Sequence, residues 1–266
     1  MVGVREDDGA PAELGARFGP YFALDLIDVS AGPPAGWITV ADLADSATGT
    51  FGRRVRAVRA ALASGRSLPA EALDERVAVS VAQLGLCARL VAPALAFAVA
   101  TGRPPSLDPR RLYWRDVLGG PFPLALGHPP GGSRDARPNA GGADRLAVGF
   151  AAGVLRPVVE PIVDAAARGY PVSRRVLWGN VASAVAGAAK MLGRAEPPLA
   201  APAWRVVDEL CGGGVGGPLR GAGWRVGPER FRRRSCCLIY RIAPTGARAV
   251  CEDCVLLDVP APSPRT

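Results

Sequence analysis

Lysine is nearly missing from this chain. Of its 32 lysine and arginine residues, Lys190 alone is a lysine. With 33 glycines and 26 prolines, that skew is what a GC-rich coding sequence produces. The net charge of +8 is then mostly arginine on solvated faces. Aromatic residues make up only 6% of the chain, and no basic stretch alternates with them. The stacking platforms of a nucleic-acid-binding protein are therefore missing, and no nucleic-acid partner is expected. Histidine occurs once, at His128, in a stretch crowded with Gly and Pro. It reads as a solvated loop residue and is assigned no role. Long apolar runs are lacking too. The longest, Leu90 to Ala100, is about half of the roughly 20 residues that span a bilayer. The opening segment MVGVREDDGAPAEL is acidic and has no apolar core, so it does not read as a secretory signal. A soluble cytoplasmic protein without an integral membrane segment is expected. No GxxxxGK[ST] stretch occurs, so the glycine run Cys211–Gly217 reads as a linker rather than a phosphate cradle. Flavin and nicotinamide fingerprints are absent as well.

What is present is a large apolar fraction, 49%, with mean hydropathy +0.16, enough for a substantial core. The pattern predicts a mainly α fold. A first helix is expected over Arg53–Leu62. A longer, mostly buried one opens at Pro69-Ala70-Glu71 and runs to about Thr101, kinked or split at Pro93. The aromatic stretch 107–126 suggests a short strand, and 127–142 reads as a mobile loop. Asp144 is placed to cap a helix reaching Arg168, interrupted by Pro157 and Pro161. Ser173 is placed to cap another over Arg174–Leu192, stopped by Gly193, and a last helix is expected over Ala203–Leu210. The expected organisation is a helical domain over 1–217, its first 50 or so residues poorly defined, and a small cysteine-rich β-hairpin module over 218–266.

That module holds the chemistry. Four of the six cysteines fall between positions 236 and 254: the adjacent pair Cys236-Cys237 and the CxxC pair Cys251 and Cys254. Pro-Thr-Gly at 244–246 is a turn signal, so Leu238–Ile242 and Arg248–Cys251 are expected to pair as a hairpin that brings the thiols together. In a reducing compartment, such a cluster points to metal rather than disulfides. Two centres fit. A Zn(Cys)4 site usually takes two CxxC-like knuckles, whereas adjacent cysteines in extended backbone point apart. A [2Fe–2S] cluster spreads four thiolates over two irons and accepts that geometry more easily. The spacing favours the cluster and leaves a non-enzymatic zinc module, or an iron–sulfur electron carrier or sensor, as alternatives. Cys87, in an apolar helix, reads as an inert core thiol, and Cys211 precedes the glycine linker.

The stretch RRSCCLIYR…CEDCVL resembles the C-terminal [2Fe–2S] motif of the ferric siderophore reductase (FhuF-like) family, including the arginines before CC and the apolar residue after the last cysteine. The stretches 177–190 and 82–96 are similar to helices of that family. The thirteen residues between Cys237 and Cys251 exceed the family's usual spacer; the excess falls at the turn, where a longer loop is tolerated. The resemblance implies a [2Fe–2S] cluster held by Cys236, Cys237, Cys251 and Cys254. It implies a reductase that passes one electron to the Fe(III) of a siderophore, of hydroxamate type, from an external electron donor. No general acid or nucleophile is needed beyond the cluster ligands. Arg230, Arg232, Arg233, Arg234 and Arg241 are placed to offset the cluster's charge, and Tyr240 to tune it. A substrate pocket is expected between the helices and the hairpin, near Arg174, Arg175, Trp178 and Asn180.

Overall fold

The computed structural model describes residues 13–128, 143–242 and 250–258. The expected mobile loop at 127–142 falls largely outside these, as do most of the Pro-Thr-Gly turn and its flanks. After a short helix α1 (Glu13–Phe18) come strands β1 (Asp25–Asp28) and β2 (Ile38–Thr39), then α2 (Thr50–Ser64) and α3 (Glu75–Thr101). Strands β3 (Leu112–Trp114) and β4 (Leu124–His128) follow, then α4 (Ala143–Phe150), a π-helical stretch Ala151–Val159 and α5 (Glu160–Gly169). Helices α6 (Arg174–Ala195) and α7 (Ala200–Gly212) lead to a hairpin, β5 (Gly223–Gly227) and β6 (Arg230–Arg233). Short 3-10 turns over Ile239–Ile242 and Val255–Asp258 close the described chain.

The fold is mainly helical, with a small two-stranded sheet near the C-terminus, as the sequence predicts. Several element ends differ for physical reasons. The long helix does not open at Pro69: Ala70–Ala72 forms a 3-10 turn, and the true N-cap is Asp74, whose carboxylate accepts the Arg76 N–H at 2.9 Å. The helix then runs unbroken through Pro93. Asp144 sits inside the first turn of α4 rather than capping it. Pro157, which has no N–H to give, lies in the π-helical stretch, so the helical path continues with altered hydrogen bonding rather than stopping. Ser173 caps α6 as expected, its hydroxyl accepting from the Val176 N–H. Gly193 does not end that helix. It lets α7 approach, since a Cβ there would lie 2.7 Å from the Cβ of Ala200. A four-stranded sheet, order β1-β4-β3-β2 with β1 and β4 parallel, covers part of the helices.

Helices α3 and α6 form the centre and pack along each other. Val77, Leu86 and Leu95 of α3 and Leu177, Val181 and Leu192 of α6 are wholly buried. Burying these side chains stabilises the fold by about 25 cal/mol per Å² of apolar surface removed from water. Helix α3 and the span 144–169 are long and apolar enough to cross a membrane by length and composition, but 67% and 56% of their most apolar windows are buried inside the protein. Arg89 on α3 is buried too. It donates to the carbonyls of Phe122, Tyr21 and Ala23, and burial pulls its pKa down to about 10.

Candidate iron–sulfur centre

The four clustered cysteines lie on two loops braced against α3 and α6, not on a hairpin of their own. The residues expected to pair with one another are not strands: Ile239–Ile242 forms a 3-10 turn, and Arg248 lies outside the described residues. Leu238 adopts φ +69°, which breaks an extended strand immediately after Cys237. The CEDC segment is itself a turn, with the Cys254 N–H bonded to the Cys251 carbonyl at 3.1 Å. The β-hairpin of this region is β5–β6, upstream. Its second strand ends at Arg233 and feeds directly into Ser235, Cys236 and Cys237.

Both loops are tethered. Arg233 N–H donates to the Asp253 carbonyl at 3.2 Å, and Arg232 Nη1 donates to the Cys254 carbonyl at 2.8 Å, joining the CC and CxxC segments. Lys190 on α6 pairs with Glu252. Arg241 pairs with Asp74, at the start of α3, at 2.7 Å. The Ser80 hydroxyl donates to the Cys237 carbonyl at 2.8 Å. Gly179 on α6 makes room for the CC loop, because a Cβ there would collide with Ser235 Oγ and come within 3.2 Å of Arg233 Nη2.

Two of the thiols meet directly. Cys237 Sγ and Cys251 Sγ are 3.4 Å apart. Backbone N–H groups point at sulfur: Leu238 to Cys236 Sγ at 3.3 Å and Leu256 to Cys254 Sγ at 3.4 Å. Cys237 is held down to about 6, first by its hydrogen bond with the Cys251 thiol, then by the Ile239 N–H and the Arg233 guanidinium. The same contact pushes Cys251 up, since one proton is shared between two sulfurs. Burial raises Cys236, opposed by the Leu238 N–H. Arg233 acts on Cys236, Cys237 and Cys251 alike.

Arg233 is 1% exposed. Its Nη2 donates to Asn180 Oδ1 at 2.6 Å, and among the described residues no carboxylate pairs with it. Its Nε is buried without a hydrogen-bond partner. An isolated buried cation is costly, and both the Asp253 carboxylate and negative charge on the sulfurs act to compensate it. Asn180 in turn donates from Nδ2 to Ser80 Oγ and Gln83 Oε1, at 3.0 and 2.9 Å. A buried polar chain thus links Gln83 and Ser80 on α3, Asn180 on α6, Arg233 and the cysteine loop. Nothing in the sequence separated Arg233 from its neighbours in the arginine run.

The remaining sequence candidates divide. Arg174, Arg175 and Trp178 line one surface cleft, with Ser235 and Arg234. Asn180 does not join them: it is 0% exposed and belongs to the buried chain below the cysteines. Tyr240 is 40% exposed. Cys87 and Cys211 are buried, each pushed up to about 12 chiefly by that burial, as suits core thiols. His128 falls at the end of β4.

These residues fit an anionic, thiolate-ligated centre: four sulfurs, peptide N–H groups aimed at sulfur and a buried guanidinium. Among the described residues no three Cys, His, Asp or Glu side chains close on one point, as a single tetrahedral ion would require. Four thiolates shared between two irons need no such convergence. Residues 233–256 match the family model described as the FhuF 2Fe-2S C-terminal domain. This segment is therefore a FhuF-type C-terminal domain, and its cofactor is a [2Fe–2S] cluster. No curated protein and no solved structure matches the chain.

Proposed function

We propose that this protein is a ferric-siderophore reductase acting in the cytoplasm, and that Cys236, Cys237, Cys251 and Cys254 hold its cluster. When bound, a [2Fe–2S] cluster supplies a one-electron couple. The reaction is Fe(III)–chelate plus one electron to Fe(II), the electron coming from an external donor. Hard oxygen ligands such as hydroxamates suit Fe(III) and hold the softer Fe(II) far less well, so reduction releases the iron. The chain's own groups bind and bias the centre. Arg233 offsets part of the formal charge of about −2 that four thiolates give an oxidised cluster. The Leu238, Ile239 and Leu256 N–H groups favour negative sulfur. Cys236 is only partly buried and follows Ser235, which lines the arginine-rich cleft, so it marks the short route to a docked chelate.

The observation that carries this reading is the buried guanidinium of Arg233, which acts on three of four clustered thiols beside an open cleft. The test is anaerobic. The purified protein is reduced with dithionite, excess reductant is removed, and a ferric siderophore is added with a colorimetric Fe(II) trap. The expected result is a brown protein with an S = 1/2 EPR signal on reduction, lost on adding the chelate as about one Fe(II) per cluster appears in the trap. A colourless protein with one zinc per chain would sink the proposal. A brown protein whose reduced signal survives excess chelate would leave an electron carrier or sensor.

A further inference from the structure

We propose that the cleft beside Cys236 selects ferric chelates of net negative charge; this rests on the reductase reading and adds a substrate class to it. The cleft has a volume of about 330 Å³ and is lined by Arg174, Arg175, Trp178, Arg220, Arg234 and Ser235, among others. A second hollow of about 540 Å³ shares Arg220, Gly221 and Arg234 with it, so the two form one groove. That size suits a metal chelate, since ligand sites run from about 300 to 1,000 Å³.

The groove's charge is one-sided. Arg174 is paired with Asp164, with Glu160 4.0 Å away. Asp208, the carboxylate lining the second hollow, is paired with Arg225 at 2.7 Å. Arg175, Arg220 and Arg234 have no carboxylate partner among the described residues. Arg234 instead stacks on Trp224, 5.4 Å from the ring centroid, and Trp224 is 42% exposed. Three unneutralised guanidiniums around one opening attract an anion and repel a cation. Guanidinium forks also match carboxylate and other paired oxygens. A chelate with surplus carboxylates or catecholate oxygens satisfies the groove. Hydroxamate donors remain compatible when the rest of the siderophore carries such surplus charge.

The test separates binding from reduction by replacing Fe(III) with Ga(III), which has the same charge and is not reduced. Calorimetry on the holoprotein compares a tris-catecholate Ga(III) chelate, net charge −3, with a neutral tris-hydroxamate Ga(III) chelate. The anionic chelate is expected to bind ~tenfold or more tightly, with affinity falling as salt rises. Arg220→Gln and Arg234→Gln are each expected to weaken it several-fold and to leave the neutral chelate unchanged. Equal affinity for both chelates, or unchanged affinity in both variants, overturns the proposal. So does failure of the anionic chelate to bind at ~1 mM, which would leave these arginines to an acidic donor protein. Reduction of the corresponding Fe(III) chelates is measured in parallel. Turnover without charge preference sinks the groove inference alone, and anion binding without turnover sinks the reductase reading alone.

Discussion

Arg232, Arg233 and Arg234 are consecutive yet occupy three environments. Arg232 holds the Cys254 carbonyl, Arg233 lies under the thiols, and Arg234 leans on exposed Trp224. Only the middle one is both wholly buried and directed at sulfur. Arg233→Gln should therefore lower the reduction potential of the bound cluster, because the reduced form carries the extra negative charge. At an effective dielectric of about 20, a unit charge several ångströms away is worth roughly 2 kcal/mol. Arg233→Lys should recover part of the loss. An EPR-monitored redox titration checks this, and equal potentials in wild type and both variants would remove Arg233 from the argument. Cys254→Ser should abolish or strongly alter the visible spectrum, while Cys87→Ser should leave it intact. Cys87 lies in the core, its sulfur accepting from Gln83 at 3.1 Å, and it is not one of the four clustered thiols. The cysteines were legible in the sequence because their spacing is itself chemical information. Arg233 was not, because a run of identical side chains carries no sign of which one the strand turns inward.

Glycines show the same contrast at the scale of a helix. Gly179 and Gly187 both lie inside α6, where alanine is favoured by up to about 1 kcal/mol. A Cβ at Gly187 meets nothing within 4 Å, whereas one at Gly179 runs into Ser235. Gly187→Ala should raise the melting temperature slightly. Gly179→Ala should destabilise by about 1–3 kcal/mol and disturb the cluster spectrum by displacing the CC loop. Thermal melts and visible spectra of the two variants decide it; matching behaviour would show that the close approach has no consequence. Helices α2, α6 and α7 could be read from apolar periodicity and capping residues near to where they occur. The cysteine segments could not. A turn signal predicts their pairing as strands, but Leu238 is left-handed, CEDC is a turn, and both loops are tethered to α3 and α6 through Ser80, Asp74 and Lys190.

Over the whole molecule, the site is assembled from distant parts of the chain. Ser80 and Asn180 belong to α3 and α6, and Asp74 clasps Arg241 from the start of α3. Burial raises the Asp74 carboxyl, but the Arg241 hydrogen bond, the Arg76 N–H and nearby guanidiniums outweigh it, so the net pKa is lowered below 3.8. The sign follows: the clasp contributes above the unfolded value, and its contribution is lost as pH falls through the lower folded value. Protection factors of the amides at 239–242, taken against the intrinsic rate at each pH, should therefore fall as pH drops below the unfolded value of 3.8, and Asp74→Asn should show low protection already at neutral pH. Wild-type protection factors that do not change with pH would refute the clasp. An excised 218–266 fragment should fail to retain a cluster after reconstitution, because it lacks Asn180 and Ser80; a fragment with a stable brown colour would contradict this. The parallel pairing of β1 with β4 and the reach from α3 to the cysteines depend on long-range topology, which local pattern does not encode.

The buried chain from Gln83 to Arg233 also sets a chronology. Translation runs from the N-terminus, so Ser80 and Asn180 leave the ribosome ahead of all four clustered cysteines. Helices α3 and α6 can dock while the thiols are still inside the exit tunnel. The cysteine segments then arrive at a bed already formed, where Ser80 fixes one loop and the Arg233 guanidinium favours charged sulfur at Cys237. Iron and sulfide are thus delivered after the helices that brace the site have docked.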